Sequence, residues 1–452
     1  MIRPNAQPRA NTSPLLITGL LTACQLLSAC GEASAPPADP SSGTDADETA
    51  NWLPNSAIPE ADSLLVQAVE VPEETPVAPP GREPIVMAPD PATIEGLEGV
   101  PWKPGSEAQA GVLDPSRERL EPLETFEGQR VLFYERRWPD GQLRQQGHET
   151  VSENGATMGH GPEWRWHENG QLQLRRTYRL GQSDGEFKEW YKSGMKKAKG
   201  QFKADKTDGP WLHWAPLGTL AKAQHFTAGL PTGTQYSFFN SGALNQVVQL
   251  TDGKKQGDDW TWTRQGYPQE HAQWKNGERH GVHIQWHAKG VQATATKYED
   301  GKATGPWREW WRDGSDRLTG QLANGMRMGN WRSWDEKGTL RVSETYEGST
   351  FHGPRKTWTE AGKPAFAGNF YEGKPDGMQT IYFEGGGPKR AQSFQRGKPT
   401  GSMATWHPNG QKSSEGEMVA GKREGHWTQW NPEGDVLEAW SGEYVAGQLQ
   451  EK

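Results

Sequence analysis

At 452 residues the chain has room for two or three domains, yet 33% of it is hydrophobic, 22 residues are tryptophan, 55 glycine and 33 proline. That mix excludes a Leu/Ile/Val core and helix-rich domains. The formal net charge of −8 is uneven: residues 32–125 hold 19 acidic against 4 basic side chains, and the part beyond 125 is mildly basic, too weakly to predict a nucleic-acid partner.

The first thirty residues read as an export signal. Arg3 and Arg9 precede an apolar stretch from Leu15 to Leu27, and no other segment approaches the roughly 18 apolar residues of a spanning helix. Leu27-Ser28-Ala29-Cys30 resembles the lipobox of bacterial lipoproteins. The resemblance implies cleavage after residue 29 and a lipid-modified Cys30 bearing diacylglycerol and a palmitate-class chain. Leu21-Thr22-Ala23-Cys24 also fits, but leaves a shorter apolar region, so Cys24 is the second choice. Gly31 after the modified cysteine favours the outer membrane by analogy with enteric sorting rules, with the inner membrane as the alternative. With Cys30 acylated and Cys24 removed, the mature chain has no disulfide.

Residues 30–125 are rich in Pro, Ala, Ser and acidic side chains, as in Val71-Pro72-Glu73-Glu74-Thr75-Pro76. Such a composition buries too little apolar surface to offset chain entropy, and predicts a disordered tether.

Beyond the tether the chain repeats. Glycine recurs every 24 residues from Gly161 to Gly425, and a second glycine column runs from Gly170 to Gly434. Between them lies an aromatic column: Trp166, Trp190, Trp214, Phe238, Trp262, Trp286, Trp310, Trp334, Trp358, Tyr382, Trp406 and Trp430. Another apolar column, such as Tyr298 and Phe394, stands seven residues before the first glycine. Short segments rich in Trp, Tyr, Thr and Val, punctuated by glycine and without a 3.6-residue period, predict β-hairpins. Asn169-Gly170, Asp313-Gly314 and Asn409-Gly410 mark one turn, and the stretch from Asp300 to Gly305 marks the other.

The fold class expected is therefore all-β: an elongated antiparallel hairpin meander behind a disordered tether. Residues 126–153 read as a degenerate capping hairpin, 154–441 as twelve 24-residue repeats, and 442–452 as a partial repeat. The pattern Tyr298-Glu299-Asp300-Gly301-Lys302-Ala303-Thr304-Gly305-Pro306-Trp307-Arg308-Glu309-Trp310 resembles the MORN repeat, in its bacterial variant known from antitoxin-like proteins. What this resemblance implies about function is general: scaffolds, membrane-associated modules and partner-binding surfaces.

No nucleophile elbow, phosphate loop, dinucleotide fingerprint or carboxylate pair is visible, so neither an enzyme nor a cofactor is expected. His280, His283 and His287 have a superficially metal-like spacing, but on a strand they separate too far to share an ion. The aromatic row reads first as a packing seam. Tryptophans two apart, such as Trp260 and Trp262, should share a face, whereas pairs three apart, such as Trp307 and Trp310, should straddle the sheet unless a bulge intervenes. Trp307, Trp311, Trp331 and Trp427 are the candidates for a binding surface. Trp311 belongs to none of the aromatic columns recognised in the sequence. The reading is a lipid-anchored envelope scaffold with a protein partner. A polysaccharide binder using exposed tryptophans is the alternative, and an antitoxin role rests on family analogy alone.

Overall fold

The computed structural model describes residues 87–93 and 119–451, all within one compact unit, Ile58–Lys452. Cys24, Cys30 and most of the expected tether lie outside the described residues.

The fold is a long antiparallel meander of 29 strands, with a separate two-stranded pair, Thr125–Phe126 and Gln129–Arg130, before it. In the regular units each strand of eight or nine residues pairs with its neighbours in chain order, as Gln292–Glu299 does with Lys302–Trp310 and the latter with Asp316–Ala323. Among the described residues no ladder joins the first strand to the last, so the sheet is open.

The two turns of each unit differ in kind. At one edge Gly314 N–H donates to Trp311 O at 2.9 Å, Trp311 N–H to Ser315 O at 2.8 Å, and only the glycine has positive φ (85°). This is a type I turn closed by a glycine bulge. At the other edge Asp300 and Gly301 both have positive φ, 45° and 77°, the signature of a two-residue type I′ hairpin. That second turn is shorter than the six residues expected. Gly305 instead lies inside strand Lys302–Trp310, where the register slips between Ala295 and Lys297 and a bulge of Gly305-Pro306-Trp307 is accommodated. A proline fits there because the ladder lapses and its missing N–H costs nothing.

Strands Leu143–Val151 and Thr157–Trp166 are joined by a five-residue turn, 152–156, where later units use two. At the far end Gly442–Val445 pairs with Lys422–Gln429, and the short strand Gln448–Leu449 folds back on it.

The single sheet carries a packing ladder on each face. One holds the main aromatic column: Trp214, Leu220, Phe238, Leu244 and Trp262 form one cluster, and Ile284, Trp286, Ala295 and Trp310 another. The other face holds rows such as Phe187, Phe202, Trp211 and Phe226, with successive ring centroids 5.1 to 6.4 Å apart. Trp260 and Trp262 share a face and stack at 5.8 Å. Trp307 and Trp310 fall on opposite faces, because the bulge beside Trp310 adds its extra residue, Arg317, to the partner strand.

Candidate functional site

Burial separates the four candidate tryptophans. Trp331 and Trp427 are 3% and 0% exposed, which corrects their reading as surface residues. Each lies flat on a glycine of the preceding strand: a Cβ on Gly320 would stand 2.2 Å from the Trp331 ring, and one on Gly416 would stand 2.4 Å from that of Trp427. Trp211 sits on Gly200 in the same way. The rule is sequential, a glycine eleven residues before the tryptophan. At Trp307 that position is Thr296, whose side chain leaves no bed; Trp307 is half-buried and donates its Nε1–H to Glu309 Oε1 at 3.0 Å.

Trp311 is half-buried and belongs to a column that aromatic identity alone conceals. In five units the first residue of the type I turn reaches 23 residues on, to the main-chain carbonyl of the next unit's aromatic. Trp311 Nε1–H donates to Trp334 O at 3.2 Å, Tyr191 Oη–H to Trp214 O at 2.8 Å, and His287 Nε2–H to Trp310 O at 2.9 Å. His167 and His407 do the same to Trp190 O and Trp430 O. The column mixes Trp, Tyr and His because the common requirement is a ring N–H or O–H at the right reach. Arg317 lies over the Trp311 ring at 5.0 Å. Trp311 is thus a hook between repeats.

The opposite edge has its own hooks. Gly301 N–H donates to Arg279 O at 2.9 Å and Gly325 N–H to Ala303 O at 2.7 Å, in each case 22 residues back. Acceptor side chains reinforce several of them, as Asp208 Oδ1 does for Ala228 N–H and Asp376 Oδ1 for Arg396 N–H.

The titratable groups are engaged structurally. Buried Glu163 accepts from Tyr134 Oη at 2.8 Å, Gln145 Nε2 at 2.6 Å, Arg165 Nε at 2.8 Å and Arg176 Nη2 at 3.0 Å. Burial first, then the hydrogen bond to Glu163, push the Tyr134 hydroxyl well above its ordinary range. Glu344, Tyr346, Arg327 and Arg355 repeat this arrangement, and the Tyr346 hydroxyl is raised by burial and then by Glu344. Carboxylates so fully bonded have little acceptor capacity left for a substrate proton. Arg175 lies 4.0 Å from the Trp164 ring and 5.7 Å from that of Trp190, and burial lowers its pKa.

The three spaced histidines serve three different partners. His283 Nε2 bonds Glu270 Oε1 at 2.7 Å, His280 Nδ1 stands 3.5 Å from Asp300, and His287 is a hook. Among the described residues no group of three His, Cys, Asp or Glu side chains could hold a metal ion. Sequence reasoning also missed His148 and His160, which secure the segment before the array. His148 Nε2 accepts from Leu123 N–H at 2.9 Å, and His160 Nε2 bonds Phe126 O at 3.2 Å.

This geometry has a counterpart among known families, since residues 183–204 match the family described as the MORN repeat variant. The chain carries a MORN repeat. Other units of the array share the turns, the bulge and the type I′-edge hook of this MORN unit. No curated protein matches the chain. Among solved structures, the similar chains include those of the crystal structures of TcdB2-TccC3-TEV and TcdB2-TccC3-Cdc42, each 10% identical with a TM-score of 0.14. The matches cover 68% and 66% of this chain and 20% of those chains. A TM-score that low gives the likeness no weight.

Proposed function

We propose that the chain is a cell-envelope lipoprotein whose MORN-type sheet is a scaffold for a protein partner. The observation that carries the scaffold reading is the register. Unit after unit keeps the backbone hook at the type I′ edge, and His167, Tyr191, His287, Trp311 and His407 add hooks at the other, so equivalent side chains recur about every 9.6 Å, two strands on, across a continuous surface. The lipobox at Leu27-Ser28-Ala29-Cys30 supports the anchor. Metabolic labelling with a palmitate analogue tests it: label is expected on the wild type and lost in Cys30→Ala. Label retained in Cys30→Ala and lost in Cys24→Ala would move the anchor, and an unlabelled wild type would remove it. For the scaffold, photo-crosslinkers at Trp307 and Arg332 in intact cells are expected to give one discrete adduct; none from either position would sink the reading.

One observation favours a second reading, an acidic polysaccharide. The column two residues before the main aromatic is apolar at Leu212, Tyr236, Trp260 and Ile284, then turns cationic at Arg308, Arg332 and Lys356. Over the same units the aromatic changes from buried Trp310 to half-buried Trp334 and Trp358. A row of cations beside accessible indole faces suits a uronic-acid polymer, whose rings stack and whose carboxylates pair. Retention on an immobilised uronic-acid polymer, lost in an Arg332→Ala/Lys356→Ala variant, is the expected result; a folded wild type that is not retained would dispose of it.

A further inference from the structure

We propose that the seam around Trp214, Phe238 and Trp262 is a docking site for a short peptide of Ala-Pro-x-Pro type, and that the chain's own residues 87–91 occupy it in cis. Ala88 packs against the cluster of Trp214, Leu220, Phe238, Leu244 and Trp262, and its N–H donates to Gly266 O at 3.0 Å. Gly266 is the positive-φ residue of a type I turn, at the edge of the sheet. The Met87 methyl lies 3.5 Å from where a Cβ on Gly266 would stand. Three residues after Ala88, Pro91 is buried, while Met87, Pro89 and Asp90 between and beside these anchors are exposed. Thr93 closes the segment by donating its N–H and hydroxyl to Asp90 O at 2.9 and 2.8 Å.

The recognition chemistry follows from these contacts. One main-chain hydrogen bond sets the direction, a methyl group packs on the aromatic seam, and a buried proline follows three residues on. Pro89 and Pro91 fix their own φ, Pro91 as the first residue of the 3-10 turn Pro91–Thr93, so the peptide loses little conformational freedom on docking, as in other proline-rich segments bound by aromatic-lined surfaces. A protein partner presenting the same Ala-Pro-x-Pro pattern competes with the internal segment for this seat.

The inference rests on the scaffold reading for its use, but its test measures a defined peptide, so either can fail alone. A labelled peptide of residues 84–93 is titrated into the full chain and into full-length Ala88→Arg, in which charge expels the internal segment. The variant is expected to bind saturably and at least tenfold more tightly than the wild type, and a peptide bearing the same substitution is expected not to bind. In the wild type, exchange of the Ala88 amide should be at least tenfold slower than in the free peptide. Exchange at the free-peptide rate, or a variant that binds no better than the wild type, overturns the proposal.

Discussion

The Trp331–Gly320 contact shows how one missing side chain decides where another goes. A methyl on Gly320 would fall 2.2 Å from an indole that is 3% exposed, so Gly320→Ala must expel or tilt the ring. Urea unfolding is expected to show a loss of about 1–3 kcal/mol, the usual cost of overpacking. Trp311→Phe keeps a ring but leaves Trp334 O without its donor, and should cost about 1 kcal/mol by the same measurement. Glu270 gives a pH prediction. Its hydrogen bond from His283, offset by burial and helped by the His283 and Arg279 charges, holds the carboxyl below the ordinary range. The stabilisation is therefore full above the usual carboxylate range and fades as pH falls through the lowered value. The stability gap between wild type and Glu270→Gln should shrink on acidification across roughly pH 6 to 3, and a gap that widens would contradict the assignment. These placements were partly legible in the sequence. The pairing of Trp211, Trp331 and Trp427 with glycines eleven residues earlier was there to be read, and Thr296 marked Trp307 as different. The hook column was obscured, because Tyr191, His287 and Trp311 share a reach and a donor rather than a residue class.

At the scale of the element, the repeat length is set by both edges at once. The hooks of 23 residues at the type I turns and 22 at the type I′ turns close in the same units, so a deletion preserves them only if it removes a whole period. Removing 24 residues, 305–328, should leave an array with undiminished β-sheet circular dichroism per residue and protease resistance. Removing 23 puts the strand at the junction one residue out of phase, turning its side chains to the wrong face, and should yield a chain that is protease-sensitive there. The hairpins, their period and the face alternation could be read from glycine and aromatic spacing. The docking of Ala88 could not, since neither Ala-Pro-Asp-Pro nor the turn at Gly266 carries a local signal for the other.

Among the described residues of the whole molecule, the contacts between units are with nearest neighbours, apart from the docking of Ala88 beside Gly266 and a few at the start such as Arg179 with Glu127. Stability is then a sum of unit and interface terms, and unfolding need not be all-or-none. Calorimetry should give a van't Hoff enthalpy well below the calorimetric one, and equality of the two would refute a neighbour-only array. The hooks carry one further consequence, concerning direction. At the type I edge the earlier unit brings the donor and the later unit the carbonyl; at the type I′ edge the later unit brings the donor and the earlier one the carbonyl. A finished unit therefore leaves one giver and one receiver waiting at its C-terminal side. Synthesis delivers a chain from its N-terminus, so each emerging unit meets partners already in place, and the sheet can close behind the moving chain without waiting for its end.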